Sequence, residues 1–435
     1  MKNNLIKLIN EKKARVGIAG LGYVGLPLAL RFSEAGFKVT GFDIDPEKVE
    51  KINRGETYIA QFTSERISNC VKKGLLEATA DFANVKDMDA LILCIPTPLG
   101  KHNEPDISYI INTVEAVMPY TRKGQLISLE STTYPGTTDE EIVPRVENKG
   151  FKIGEDYFVT FSPEREDPGN KNFHTQTIPK VLGGYTSNCQ EVGAALYGSV
   201  IDSVVKVSST KAAEMTKLLE NIFRSVNIGL VNELKIVSDK MGIDIWEVID
   251  AAATKPFGYM PFYPGPGLGG HCIPIDPFYL TWKALEYKVH TRFIELAGEI
   301  NTSMPEYVVN KAQDALNRAK KSVNGSKILV MGLAYKKNVS DTRESPSVRI
   351  MEELIKKGAE VSYSDAYVSE FPKMREYKYD MKSIELTEAS IKSFDCIIIA
   401  TDHDNFDYDA LLKYAKIIVD PRGRYRKTYP NVIKA

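Results

Sequence analysis

One cysteine, Cys272, stands in the run Gly269-Gly270-His271-Cys272-Ile273-Pro274-Ile275-Asp276-Pro277, four residues ahead of a carboxylate. Glycine and proline leave little bulk to shield the thiol, and a thiolate is a nucleophile able to hold an acyl group. Spacing alone leaves two readings open, an inert core filler or a covalent nucleophile. Near the N-terminus, Gly20-Leu21-Gly22-Tyr23-Val24-Gly25 follows an apolar run and opens a segment of helical spacing. A G-x-G-x-x-G turn between strand and helix fits a dinucleotide. Gly20 permits the tight turn, Gly22 lets backbone N–H groups approach a pyrophosphate, and Gly25 allows close helix-to-strand packing. Asp43 lies 21 residues beyond Gly22, at the end of the next strand. A carboxylate there accepts hydrogen bonds from both ribose hydroxyls and repels a 2′-phosphate, and Asp45 adds charge of the same sign, so NAD is favoured over NADP. A hydride acceptor paired with an acyl-holding thiol implies oxidation past the aldehyde.

The elements that must position these groups follow from periodicity. The pattern predicts a strand over 16–19, a helix over 26–35 and further strands over 37–42, 91–95 and 125–129, which is a parallel sheet wrapped by helices. From 210 to 241, Met215, Leu218, Leu219, Ile222, Val226, Leu230, Leu234 and Val237 recur at intervals of three and four, predicting one long amphipathic helix. Helical patterns continue over 245–253 and 293–319. A second α/β pattern begins at Ser326, with strands over 328–333, 360–364, 396–400 and 417–419 and a helix over 347–357. Its first turn reads Gly332-Leu333-Ala334-Tyr335-Lys336-Lys337, without the glycine fingerprint, so a second dinucleotide is not expected there. The expected fold class is α/β, with two Rossmann-like doubly wound domains joined by a central helical domain with a long helix. The expected domains are 1–205 for NAD binding, 206–320 for catalysis and dimerisation, and 321–435 for the substrate.

Composition narrows the partners. The chain has 435 residues, 56 Lys+Arg against 57 Asp+Glu, and a net charge of −1, so no global field points to nucleic acid. Five cysteines, an odd number without CxxC spacing, argue against a disulfide framework and a zinc site, and no metal is expected. No apolar run reaches the length of a membrane span, and a soluble, cytoplasmic protein is the expectation.

Six motifs, the Gly20 turn, Ser131-Thr132-Thr133, Ser162-Pro163-Glu164, Lys217-Leu218-Leu219-Glu220-Asn221, the Cys272 loop and Asp341-Thr342-Arg343-Glu344-Ser345, occur in one order. In that order the chain resembles the UDP-glucose/GDP-mannose dehydrogenase family over nearly its whole length. The resemblance implies oxidation of a nucleotide-sugar C6 alcohol to a carboxylate with two NAD⁺. Cys272 would form a thiohemiacetal and then a thioester, and water would release the uronate. It implies that Lys217 and Asn221 stand at the reacting oxygen, Glu164 activates water, Asp276 orders the water and the lysine, and Thr133 lies near the nicotinamide. It also implies cofactor contacts from Lys48, Thr97 and Arg343, and substrate contacts from Phe262, Tyr263, Lys336 and Arg422. His271 is not expected to act as a base, because adjacent residues on an extended loop point apart.

Within the family, Arg165 and the Pro168-Gly169 step replace the Phe-Leu usual in UDP-glucose enzymes. The segments Lys255-Pro256-Phe257-Gly258 and Pro264-Gly265-Pro266-Gly267-Leu268 also resemble the branch acting on UDP-N-acetylhexosamines. UDP-N-acetylglucosamine is the expected substrate, in polysaccharide biosynthesis, with UDP-N-acetylmannosamine, UDP-N-acetylgalactosamine and UDP-glucose as competitors. A single-step β-hydroxyacid dehydrogenase and a non-catalytic NAD-binding sensor or scaffold remain the alternatives of other kinds.

Overall fold

The computed structural model describes residues 1–59, 63–100, 104–165, 175–270, 273–374 and 377–435. Packing divides the chain into two compact units, Met1–Glu220 with Phe278–Val289, and Asn221–Pro277 with His290–Ala435.

The first unit is built on eight strands: β1 (Arg15–Ala19), β2 (Lys38–Phe42), β3 (Leu76–Thr79), β4 (Ala90–Leu93), β5 (Leu126–Leu129), β6 (Phe158–Phe161), β7 (Lys180–Gly184) and β8 (Val204–Val207). They lie in the order β3-β2-β1-β4-β5-β6-β7-β8. Strands β4, β5 and β6 read as short apolar runs and are buried along their whole length, as strands covered on both faces must be. Every pairing is parallel except β6 with β7, which runs antiparallel with Thr160 opposite Gly184. One core layer gathers Val16, Ile18, Leu26, Leu30, Phe32 and Leu196, and the other gathers Phe42, Leu91, Leu93, Ile127, Val159 and Phe161. The sheet is wider than the periodicity predicted: β3 and β6 to β8 complete it. Edge strand β8 is exposed at its two central residues, so burial imposes no alternation for the sequence to display.

The second unit carries β9 (Lys327–Met331), β10 (Glu360–Ser364), β11 (Cys396–Ile399), β12 (Ile418–Asp420) and β13 (Val432–Lys434) in the order β10-β9-β11-β12-β13. All four pairings are parallel. The helix Pro346–Lys356 begins where Ser345 accepts from the Ser347 N–H and Pro346 takes the first helical position, where a missing donor costs nothing.

In the chain between the strands of the two sheets, the helix Thr210–Met241 runs over the predicted 32 residues, followed by Ile245–Ala252, Asp276–Glu286 and Arg292–Arg318. One face of the long helix exposes an apolar stripe. Glu214, Lys217, Asn221, Ser225, Asn232 and Lys235 are buried, whereas Met215, Leu219, Phe223, Leu230, Leu234, Val237 and Met241 are exposed. Leu218, Ile222 and Val231 are buried beside those polar groups, so the covered face is mixed and a separate apolar stripe is exposed.

Candidate active site

In the first unit the glycine turn forms as its spacing demands. Gly20 takes φ +89°, and a Cβ there would lie 2.3 Å from the Cys94 carbonyl oxygen. At Gly25 a Cβ would lie 1.8 Å from the Gly20 oxygen, so both glycines are obligatory for packing. Gly22 differs: a Cβ there would meet no protein atom within 4 Å. Protein packing does not require that glycine, whereas a diphosphate approaching the turn does, so the residues fit a dinucleotide.

Asp43 is buried at the end of β2. Its carboxylate accepts from the Leu21 N–H at 2.9 Å and the Asp45 N–H at 3.0 Å, and the Lys48 ammonium lies 3.3 Å away. The structure thus joins Asp43 and Lys48 at the turn. The Tyr58 hydroxyl donates to the Leu21 carbonyl, and burial together with Asp43 and Asp45 pushes its pKa up. Thr97 is buried past β4, and its carbonyl accepts from the Tyr279 hydroxyl at 3.0 Å.

Beyond the ends of β5 and β6 sit Thr133 and Glu164. Thr133 is buried, and its hydroxyl has no hydrogen-bond partner among the described residues. One Glu164 oxygen accepts from the Arg165 N–H at 2.6 Å, and the other faces the Lys180 ammonium at 3.8 Å. The Arg165 guanidinium pairs with Glu220 at 2.7 Å, tying the Glu164 segment to the long helix one turn past Lys217. Lys217 is itself buried and has no hydrogen-bond or ion-pair partner among the described residues.

In the second unit Asn221 and Asp276 come together, the Asn221 amide donating to the Asp276 carboxylate. Both are buried. The Gly270 N–H donates to the Arg343 carbonyl at 2.9 Å, and the Arg343 guanidinium forks onto Asp341 at 2.6 Å. A Cβ on Gly269 would lie 2.4 Å from the Tyr335 Cβ, so the stretch leading to Cys272 packs tightly against the turn after β9. His271 and Cys272 themselves lie outside the described residues, as do residues 166–174 of the Arg165 segment. Arg422 donates to the Ala400 carbonyl at 2.7 Å, and a Cβ on Gly265 would lie 3.0 Å from its guanidinium. Lys336 is half-buried in the turn after β9. Phe262 packs against Val231, Ile245, Trp246 and Ile249, while Tyr263 is exposed and donates to Asp250 at 2.8 Å. Of this neighbouring pair one ring is a partner of the helical core and the other a surface group.

The periodicity gave no sign of Glu130 and Lys180, which form a buried ion pair of 2.8 Å beside Glu164. Fifty residues separate them in the chain, and only the reversed direction of β7 brings them together. A lysine opening an otherwise apolar strand, and a glutamate ending one, are the signals that were there to read.

A glycine-turn α/β lobe with buried acid–base groups at the ends of its strands defines an NAD-dependent oxidoreductase. The chain belongs to the UDP-glucose/GDP-mannose dehydrogenase family: residues 14–201 match its NAD binding domain, 211–303 its central domain and 329–427 its UDP binding domain. It is 36% identical to a UDP-N-acetyl-D-glucosamine 6-dehydrogenase of Pseudomonas aeruginosa, covering 91% of this chain and 92% of that one. The solved UDP-D-ManNAc dehydrogenase of Pyrococcus horikoshii superposes with a TM-score of 0.87 at 31% identity, covering 96% of this chain and 98% of that one. An NDP-N-acetyl-D-galactosaminuronic acid dehydrogenase of Methanosarcina mazei Go1 gives 0.79 at 30% identity, covering 96% and 93%. The protein is accordingly an NAD-dependent nucleotide-sugar dehydrogenase. Among the described residues no helix is long and apolar enough to cross a membrane.

Proposed function

We propose that this enzyme oxidises the C6 alcohol of UDP-N-acetylglucosamine to the uronate in two steps, releasing four electrons. The supporting observation is Lys217, a buried residue without a hydrogen-bond or ion-pair partner among the described residues, one helical turn ahead of Asn221, whose amide holds the Asp276 carboxylate. NAD⁺, when bound, accepts the hydride that leaves C6. In the first oxidation the hydroxyl proton passes to a water ordered by Asp276, while Lys217 and Asn221 stabilise the charge growing on oxygen. The Cys272 thiolate then adds to the aldehyde carbon, forming a C–S bond, and the oxygen takes a proton to give the thiohemiacetal. Loss of the hydroxyl proton and of a second hydride, which a second NAD⁺ would take, leaves a thioester. Water, activated by Glu164, adds to that carbonyl, the C–S bond breaks, and the thiolate departs from the carboxylate. Thr133 stands by the nicotinamide. The cofactor is held by the turn of Gly20, Gly22 and Gly25 with Asp43, Lys48, Thr97 and Arg343. Phe262, Tyr263, Lys336 and Arg422 serve the nucleotide-sugar, and the domains divide at 205 and 320. The exposed apolar stripe of the long helix suits a second copy of the chain, so the enzyme works as a homodimer or higher homo-oligomer through that helix.

The choice of sugar rests on the Arg165 segment and on relatives named for acetamido sugars. A pocket built for an acetamido group loses polar and apolar contacts when a hydroxyl replaces it, a loss of about 2–3 kcal/mol, or tens of times in rate. A side-by-side assay of NADH production should therefore favour UDP-N-acetylglucosamine over UDP-glucose by that margin, and over UDP-N-acetylmannosamine and UDP-N-acetylgalactosamine by less. A clear preference for UDP-glucose would overturn the substrate reading.

A further inference from the structure

The Glu130–Lys180 pair is a poor device for stability. Lys180 and Glu130 are almost completely buried, at 6% and 0% side-chain exposure, and one Glu130 oxygen has no hydrogen-bond partner among the described residues. Burial raises the Glu130 pKa against the pull of Lys180, and an ion pair so placed commonly stabilises no more than apolar side chains of the same volume. The fold nevertheless places it with care. Strands β5 and β6 end at the same edge of the sheet, and β7, running the other way, starts there. The antiparallel register that sets Phe161 opposite Gly183, carried three residues further, sets Glu164 opposite Lys180. Lys180 donates to Glu130 at 2.8 Å and to the Pro163 carbonyl at 3.4 Å, holding the backbone just before Glu164. Its distance to the Glu164 carboxylate is 3.8 Å, too long for a hydrogen bond and short enough for strong attraction.

Resting on the reading of Glu164 as the group that activates water, we propose that Lys180 and Glu130 are its positioning residues. Lys180 anchors the Glu164 segment, and Glu130, by taking the ammonium's hydrogen bond, keeps that cation from closing onto Glu164 and neutralises most of its field. Glu164 is then oriented without a hydrogen bond from Lys180, which leaves that cation's pull on its basicity moderated. The other groups near it are the Arg165 guanidinium, already paired with Glu220, and the buried Cys94 thiol and Tyr197 phenol, whose pKa values burial drives up. Tyr197 hydrogen-bonds to Ser128 at 2.8 Å. Neither contributes charge at neutral pH, so Lys180 and Glu130 are the cation and the anion whose balance the variants below change.

The test is the pH profile of thioester breakdown, followed in single turnovers by intact mass of the sugar adduct. In Glu130→Gln the unneutralised ammonium stabilises ionised Glu164, and the acid limb should move about one pH unit down, with a lower plateau. In Lys180→Met, Glu164 faces the Glu130 anion alone, and the limb should move up by a similar amount. The double variant restores zero net charge beside Glu164, and its limb should return to the wild-type position even though each single change displaced it. It also removes both buried charges at once, so its fold carries no unpaired buried charge. A merely structural role moves no limb and makes the double variant the worst of the three. Unchanged limbs in all three, with Glu164→Gln still slowing breakdown, would overturn the proposal alone. Breakdown at the wild-type rate in Glu164→Gln would overturn the reading on which it rests.

Discussion

Asp43 meets the turn through two backbone N–H groups and Lys48, so its carboxylate is fixed just past β2, where we propose that it holds the adenosine ribose of NAD. A 2′-phosphate would stand against that charge with Asp45 nearby. Turnover should favour NAD⁺ over NADP⁺ by about 3 kcal/mol, on the order of a hundredfold in kcat/KM. Comparable values for the two cofactors would remove Asp43 from that role. The cysteines divide by environment. Cys94 and Cys396 are buried next to or within strands and carry thiol pKa values raised by burial, that of Cys396 to about 12, which makes them inert. Replacing either by Ala should leave acid formation intact and cost about 1 kcal/mol of stability. Cys272→Ala should abolish it, and normal uronate production by that variant would assign the acyl group elsewhere. At this scale the glycine turn and Asp43 were legible because their spacing is local. Glu130 and Lys180 were not, because their meeting depends on strand direction.

The two sheets repeat one device. As Asp43 receives the Leu21 N–H after β2, Asp365 after β10 receives the Leu333 and Ala334 N–H groups at 2.7 and 3.0 Å. There the resemblance ends. The Asn338 N–H donates to His403 Nδ1, so Nε2 carries the proton and donates to Asp365 at 3.0 Å, and a protein ring occupies the second lobe's carboxylate. The missing glycine fingerprint hinted at this difference, but no local pattern names His403. Burial pushes the Asp365 carboxyl up, yet the His403 ring and the backbone donors outweigh it and hold its pKa below the usual range. A depressed carboxylate stabilises the fold at every pH above its unfolded value near 4, and that contribution is lost as pH falls through the lower folded value. Asp365→Asn should lose about 2–3 kcal/mol at pH 7, measured by denaturant unfolding, and the gap should narrow below pH 4. A gap undiminished in acid would contradict the assignment. The long helix was legible in length but not in orientation. Its intervals of three and four predict a stripe, and only the structure reveals that Leu218 and Ile222 of it are covered while Met215, Leu219, Leu230, Leu234 and Val237 face out. Leu234→Glu at the centre of the exposed stripe should convert the proposed homodimer to monomer in light scattering. A dimer unaffected by that charge would place the interface elsewhere.

At the scale of the molecule, three domain matches in the order NAD binding, central and UDP binding account for nearly all of the chain. The α/β class with a helical centre followed from periodicity, whereas the full width of the first sheet did not, since its remaining strands are only four or five residues long. The covalent step sets this reading apart from a single-oxidation dehydrogenase and from an NAD-binding scaffold, because a thiohemiacetal held on Cys272 keeps the aldehyde in place for the second oxidation. The decisive measurement is NADH formed per UDP-N-acetylglucosamine consumed, at limiting sugar and excess NAD⁺, with the product identified by mass. The account predicts two NADH and the uronate without free aldehyde, whereas one NADH with released aldehyde, or none, would contradict it.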